Sequence, residues 1–246
     1  MNKNLQFIKM CKVNLSFSLL MLFNIAVFSQ HVKPVMLVMG KALNERNMKP
    51  VAARIIYEIL PAGTEAGIAR SNPGNGDYKI ILPYGKKYGY FAIAEGYYSV
   101  TQFLDVTDLA EYKEIDEQNL FLAPIEVDQV VRLNNIFFDD GSSALKTESN
   151  PELNRFVQFL KVNKKIEIEI SGHTDNLGDH STNMEVSIKR AKAVADYLTS
   201  NGISDKRLTV TGYGDTVPIG FNNTEEGRTR NKRIEFKVLS LTKTKK

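Results

Sequence analysis

The sequence has few of the residues that disulfide frameworks, metal centres and thiol chemistry require. Its 246 residues include one cysteine, three histidines and no tryptophan. A single cysteine cannot form an intramolecular disulfide, and if processing removes it, the mature protein needs neither disulfides nor reducing conditions. The hydrophobic share of 43% and the charged share of 24% are those of a globular protein, and the length suits one large domain or two ordinary ones.

The first 29 residues have the layout of a secretory signal peptide. Three lysines and no acidic residue accompany an apolar run from Val13 to Phe28, and Gln30 follows a small-residue cleavage site. The run is shorter than the ~20 apolar residues of a spanning helix, so we favour cleavage over the alternative, an uncleaved membrane anchor. Cleavage would remove Cys11. This cysteine precedes the apolar run and so cannot be the lipidated cysteine that follows one.

The charge balance argues against nucleic acid as a partner. Three of the 32 basic residues lie in the predicted signal peptide, which leaves 29 basic against 28 acidic residues. A nearly neutral protein has little electrostatic attraction to a phosphate backbone. We interpret the basic tail, residues 242–246, as a solvated chain end.

Residues 30–128 are predicted to form an all-β antiparallel sandwich. Short apolar or alternating runs are separated by turn signals, and no long helical period occurs. The glycine-rich NPGNGD is not followed by Gly-Lys-Ser/Thr, so we interpret it as a hairpin turn rather than a phosphate-binding loop. The segments VMGKALNERNMKPVAARIIYEI and GDYKIILPYGKKYGYFAIAEGYYS resemble carboxypeptidase-regulatory-like domains, which are transthyretin-type sandwiches. That resemblance implies a non-catalytic module.

Residues 129–241 are predicted to form an α+β domain of order β-α-β-α-β-β, with both helices on one face of the sheet. Asn150 is expected to cap the first helix, since proline follows it and apolar residues then recur at helical spacing. The next strand alternates isoleucine with glutamate. The second helix is predicted from Thr182, which has capping-box spacing to Glu185, up to Gly202.

The loop between that strand and the second helix, SGHTDNLGDHSTN, holds two histidines and two aspartates. A zinc site would need three converging ligands, but the chain lacks a compact pair such as His-Glu-x-x-His, and His31 lies far away. A nucleophilic enzyme is disfavoured because there is no Gly-x-Ser-x-Gly elbow and no cysteine remains after cleavage. We therefore expect no catalytic residue, no metal and no cofactor.

Asp175 in this loop and Arg190 on the second helix are candidates for ligand binding. Asn183 and Arg190 are seven residues apart, so they share a helix face that can look over the loop. A carboxylate and a guanidinium facing one pocket suit a zwitterion. The alternative is an ordinary surface ion pair worth ~0–1 kcal/mol, and spacing alone does not decide between the two.

About residues 131–239 resemble the OmpA-like peptidoglycan-binding domain. Matching segments occur in the family's order and spacing: NIFFDDGSSAL, ISGHTDNLGDHSTNMEVSIKRAKAVADYL, RLTVTGYGDTVPI and NNTEEGRTRNKRIEF. A histidine before the Thr-Asp pair is common in the family without binding metal. We therefore interpret His173 as packing at the strand end and His180 as a loop residue.

The resemblance implies roles for five residues. Asp175 and Arg190 would grip the zwitterionic end of diaminopimelate in the cell-wall peptide, with Thr174 and Asn183 as neighbouring polar contacts. Lys232 stands where the family often has arginine. It keeps the charge but not the forked geometry, so a bidentate contact is not expected from it.

The resulting prediction is an exported, non-enzymatic protein of the periplasm, associated with the cell wall and outer membrane. It would bind peptidoglycan non-covalently through diaminopimelate and link the wall to the outer membrane or to an envelope complex. The alternative is an assembly component of an envelope or secretion machine that acts through the sandwich, with an outer-membrane complex as candidate partner. An enzyme is a third reading, which bound zinc together with hydrolysis of a wall fragment would support.

Overall fold

The structure is a computed structural model that describes residues 33–139 and 142–241 of the chain. The predicted signal peptide, Cys11, His31 and the basic tail lie outside these ranges. Within them, no helix has the length and apolar character needed to cross a membrane.

The N-terminal half is a sandwich of two sheets. Its described strands are β1 (Val35–Asn44), β2 (Arg54–Leu60), β3 (Thr64–Arg70), β4 (Asp77–Pro83), β5 (Lys87–Ile93), β6 (Tyr97–Ser99), β7 (Gln102–Asp105), β8 (Lys113–Ile115) and β9 (Leu120–Pro124). One sheet has the order β4-β1-β9-β6, with β8 also on β1, and the other has the order β3-β2-β5-β7.

The sandwich is mixed rather than purely antiparallel, so that part of the prediction is wrong. Strand β1 pairs in parallel with both β8 and β9. Between β1 and these partners the chain passes through the second sheet, which supplies the long crossover that parallel strands need.

The segment NPGNGD is a turn, but it does not close a hairpin. It joins β3 of one sheet to β4 of the other. Asn72 accepts a hydrogen bond from Gly74 through its side chain and from Gly76 through its carbonyl oxygen. Gly76 adopts a φ of 81°, which a glycine reaches without steric cost. Local turn chemistry was therefore readable from the sequence, while the sheet that each flanking strand joins was not.

The C-terminal half contains one helix more than predicted. Its elements are β10 (Val130–Leu133), α1 (Asn150–Val162), β11 (Ile166–His173), α2 (His180–Ser200), β12 (Leu208–Gly214), α3 (Glu225–Asn231) and β13 (Arg233–Leu241). The sheet order is β10-β13-β11-β12, with β12 parallel to β11. Helix α3 has no apolar stripe, so its sequence does not show helical periodicity. The sequence feature that marks its start is the N-cap Thr224, whose hydroxyl accepts a hydrogen bond from Gly227 N–H.

Helix α2 begins two residues earlier than predicted. Asp179 is its N-cap, and the Asp179 carboxylate accepts a hydrogen bond from Thr182 N–H. Thr182 with Glu185 is therefore not a capping box. Aspartate caps as well as threonine does, and it sits here directly after the turn residue Gly178.

Apolar residues of the sandwich pack against the C-terminal half. Ile125 and the partly buried Tyr98 pack into the core of the C-terminal half, and the Tyr98 ring lies edge-on to Phe159 at 5.5 Å between centroids. On the sandwich side, three residues form a small cluster against Val162 of α1: Ile56, Phe91 and Ile93. The described residues consequently form one compact unit. The domain boundary at Asp128 remains a proposal.

A buried ion cluster also joins the two halves across the contact between them, the seam, and is called the seam cluster below. Arg155 of α1 donates through Nε to Glu58 Oε1 of β2 at 2.8 Å and through Nη1 to Glu152 Oε2 at 2.7 Å. The side chains of Arg155 and Glu58 are only 9% and 7% exposed. Burial also raises the pKa of Glu152. Each charge has lost most of its water, so removal of one member leaves another charge buried and uncompensated.

We expect Arg155→Met to lower the free energy of unfolding by about 3–5 kcal/mol, because the Glu58 carboxylate would stay buried without its partner. Urea unfolding followed by circular dichroism measures the change. The matched control is Lys192→Met, which removes an exposed ion pair with Asp196 of 2.8 Å and should cost less than ~1 kcal/mol. Equal, small losses in the two variants would contradict a structural role for the seam cluster.

Candidate ligand-binding site

The loop that leaves β11 holds Asp175 in a nearly buried position. Thr174 N–H donates to the Gly214 carbonyl oxygen at 2.8 Å, which anchors the start of the loop to the end of β12. Asp175 is 7% exposed, and its Oδ1 accepts from Leu177 N–H at 3.2 Å. Lys232 Nζ lies 3.6 Å from Oδ2. One carboxylate oxygen thus organises the loop, and the other faces a cation.

Arg190 reaches the same region from α2. Its Nε donates to the Ser142 carbonyl oxygen at 3.1 Å, and its guanidinium carbon lies 4.9 Å from the centre of the Phe138 ring. Burial lowers the pKa of Arg190, and the negative charge of Asp175 opposes that shift. The two charges therefore act on each other through space, yet these two side chains form no direct ion pair. The structure does not support the surface ion-pair alternative.

Thr174 at the start of the loop and Asn183 in the first turn of α2 are both buried rather than displayed at the surface. Asn183 Nδ2 donates to the Leu177 carbonyl oxygen at 3.1 Å, so it ties the first turn of α2 to the loop. Thr174 Oγ1 is buried and has no hydrogen-bond partner among the described residues. The polar contacts implied for these two residues remain proposals. The geometry shows that Asn183 holds the backbone around Asp175.

His173 belongs to a buried polar network next to the site. Its ring stacks on Tyr213 with centroids 5.2 Å apart, and its Nε2 lies 3.4 Å from Glu235 Oε2. Arg233 Nε donates to the other oxygen of Glu235 at 2.6 Å. The hydrogen bonds from His173 and Arg233 lower the pKa of Glu235 to about 2. His173 is therefore packed at the strand end, as the family resemblance implied.

His180 is not a loop residue. It is the first residue of α2, and its Nδ1 lies 2.6 Å from Asp215 Oδ1. Across residues 33–139 and 142–241, no three His, Cys, Asp or Glu side chains are grouped in a way that could hold a metal ion.

An open pocket of about 600 Å³ adjoins these residues. Of the candidate site residues, Arg190 and Lys232 line it. Asp175 is connected to it through its contact with Lys232, and Thr174 and Asn183 are not among its lining residues. The pocket wall also contains Arg233, which directly follows Lys232 in the sequence. Sequence reasoning missed three further charged residues of the wall, which come from other parts of the chain: Arg132, Lys146 and Glu148. They carry no local motif that marks them as neighbours.

We expect Glu235→Gln to reduce the dependence of the free energy of unfolding on pH below neutrality. The folded-state pKa of about 2 lies below the ordinary value of 4.5, so the folded protein favours the ionised carboxylate. Its stabilising contribution is complete above pH 4.5 and is lost as the pH falls towards about 2. The variant should be less stable than wild type near neutral pH, and the difference should vanish on acidification.

Urea midpoints measured across that pH range give the comparison. Glu111→Gln, which changes an exposed carboxylate of the sandwich, should unfold like wild type at every pH. A stability difference for Glu235→Gln that stays constant down to the lowest pH would contradict the proposed ionisation of Glu235.

Comparison with known proteins places this site in a recognised domain. Residues 137–232 match the model of the OmpA family. The protein therefore contains an OmpA family domain, and this domain includes Asp175, Arg190 and Lys232. The match covers none of the sandwich, so the resemblance of the N-terminal half to carboxypeptidase-regulatory-like domains stays a prediction.

Individual relatives match over the same part of the chain. Probable lipoprotein YiaD of Escherichia coli (strain K12) is 35% identical over 108 residues, which cover 44% of this chain and 49% of the relative. Peptidoglycan-binding protein ArfA of Mycobacterium tuberculosis (strain H37Rv) is 38% identical over 102 residues, which cover 42% of this chain and 31% of the relative. The chain thus spans half or less of the length of these relatives.

One solved structure with similarity is the cell wall anchor of the T6SS from Pseudomonas aeruginosa. It is 32% identical, and the match covers 45% of this chain and 79% of that chain with a TM-score of 0.39.

Proposed function

We propose that the protein binds peptidoglycan non-covalently and links the cell wall to the outer membrane or to an envelope complex. The observation that carries this proposal is the arrangement of a nearly buried carboxylate, Asp175, and a half-buried guanidinium, Arg190, at one edge of an OmpA family domain. The similarity to ArfA, a peptidoglycan-binding protein, supports the class of ligand.

The finer proposal is that the contact is made to diaminopimelate. The free end of this residue carries an ammonium and a carboxylate. Asp175 would accept from the ammonium, and the forked Nη groups of Arg190 would donate to the carboxylate. Among the described residues, Nε is the Arg190 nitrogen that has a hydrogen-bond partner, the Ser142 carbonyl oxygen, and the proposal assigns both Nη groups to the ligand.

The Lys232 ammonium would compete with the ammonium of the ligand for the Asp175 carboxylate. Its Nζ lies 3.6 Å from Asp175 Oδ2 and the residue is half exposed, so the incoming ammonium would displace or share this contact. We propose Thr174 as a direct contact because its hydroxyl has no hydrogen-bond partner among the described residues. Asn183, already bonded to the Leu177 carbonyl oxygen, would act by holding the loop.

We further propose that the protein is exported, that it works in the periplasm next to the wall and outer membrane, and that it is not an enzyme. In this view the sandwich is a spacer or docking module. A second candidate function is that of an assembly component whose sandwich recruits an outer-membrane complex. The Arg155–Glu58 pair favours it, because this pair holds the sandwich at a set orientation to the candidate wall site.

Co-sedimentation of the purified protein with isolated cell-wall sacculi tests the proposed function. We expect Asp175→Asn and Arg190→Gln each to weaken binding to diaminopimelate-type wall by about 10- to 100-fold. Each change removes a charge-assisted hydrogen bond worth about 1.5–3 kcal/mol. The matched controls are Asp196→Asn and Lys192→Gln, which alter exposed charges on the same helix and should bind like wild type.

Circular dichroism establishes that the variants are folded. Equal binding of the wild type to lysine-type wall would contradict the diaminopimelate contact and leave peptidoglycan binding in place. If the wild type sediments with neither wall, peptidoglycan binding itself is wrong, and the assembly role of the sandwich becomes the better hypothesis.

A further inference from the structure

We propose that the pocket beside Asp175 and Arg190 binds a second anionic group of the same ligand, so that the protein prefers wall peptides with free carboxylates to amidated ones. This inference rests on the proposed function, since it concerns the part of the peptide that lies beyond the zwitterion.

The wall of the pocket carries an excess of positive charge. Among the described residues, one carboxylate lines the pocket, that of Glu148. Five cationic side chains line it: Arg132, Lys146, Arg190, Lys232 and Arg233. Two further carboxylates do not line the pocket but pair with its cations: Asp175 with Lys232 and Glu235 with Arg233. Positive charge remains in excess when all three are counted. A ligand that brings a single carboxylate leaves part of this charge uncompensated.

Arg132 is the residue that points most directly to a ligand. It lies on β10 opposite Glu235 of β13, but the Glu235 carboxylate is already bonded to Arg233 and lies beside His173. Arg132 Nε is buried and has no hydrogen-bond partner in the described part of the chain. A buried N–H of a charged group is costly to leave unpaired, and a carboxylate oxygen of the ligand would pair it.

The second subsite is continuous with the zwitterion site. Arg190 and Lys232 both line the pocket. Lys232 also contacts Asp175, and the charge of Asp175 acts on Arg190. A ligand bound at Asp175 would therefore extend into the part of the pocket that the cationic side chains line. The volume of about 600 Å³ exceeds what one amino-acid end occupies and falls in the range of peptide-sized and drug-sized ligands. Wall stem peptides carry further carboxylates on their glutamate and at their C-terminus, and these become neutral on amidation.

Isothermal titration calorimetry with two synthetic stem peptides tests the inference. Both peptides keep the free end of diaminopimelate; one has its other carboxylates free, and the second has them as carboxamides. We expect the wild type to bind the carboxylate peptide about tenfold more tightly, which corresponds to one charge-assisted hydrogen bond of about 1.4 kcal/mol. Arg132→Gln and Lys146→Gln should shrink that preference, whereas Asp175→Asn should weaken the binding of both peptides.

Two controls separate charge from folding. Arg132→Lys keeps the charge and should retain part of the preference, and Arg70→Gln alters an exposed arginine of the sandwich and should retain all of it. Equal wild-type affinity for the two peptides would overturn the inference and leave the proposed function standing. A preference that persists in Arg132→Gln and Lys146→Gln would also overturn it. Failure to bind either peptide would overturn the proposed function and the inference together.

Discussion

The close approach of α2 to the ends of β11 and β12 sets the geometry on which the candidate site depends. A Cβ atom at Gly172 would overlap the Ser187 carbonyl oxygen, and one at Gly212 would overlap the side chain of Ile188. Ser187 Oγ also accepts a hydrogen bond from Gly214 N–H at 3.0 Å. Glycine at these positions lets the helix lie directly against the sheet. The loop that carries Asp175 and the helix that carries Arg190 are thereby held in fixed positions relative to each other.

Electrostatics then gives this geometry a set of separated, partly desolvated charges. Arg190 has lost part of its hydration without gaining a carboxylate contact from Asp175. Asp175 is nearly buried; it accepts a hydrogen bond from Leu177 N–H and has a longer contact to Lys232. Charges held apart in a partly desolvated site interact strongly with a ligand that supplies the complementary charges. The same separation leaves room between them. A site of this kind selects by charge pattern rather than by apolar burial.

The seam between the halves relates this site to the rest of the molecule. Tyr98 and Ile125 belong to the core of the C-terminal half, although they precede the predicted boundary. Arg155 joins α1 to β2 through a buried pair whose charges have few alternative partners. The sandwich is thus packed on the helix that supports the site's sheet. A partner of the sandwich, if the proposed assembly role is correct, would be held in a set position relative to the candidate site.

Local patterns in the sequence determined much of the C-terminal half. The isoleucine alternation of β11 and the apolar face of α1 with Leu153 and Phe156 are as predicted, because both patterns reflect interactions within a few residues. The motif around Asp175 and the spacing to Arg190 identified the two central site candidates. The sequence also contained the Asp179 cap, although a competing Thr-x-x-Glu pattern obscured it.

Only the tertiary structure decided which distant segments meet. The parallel pairing of β1 with β8 and β9, the shared seam, and the convergence of Arg132 and Lys146 on the pocket of Arg190 have no local signature. Strand direction depends on how the chain crosses between sheets. The charge that a pocket presents depends on residues brought together by burial of the core, and neither can be read from spacing along one segment.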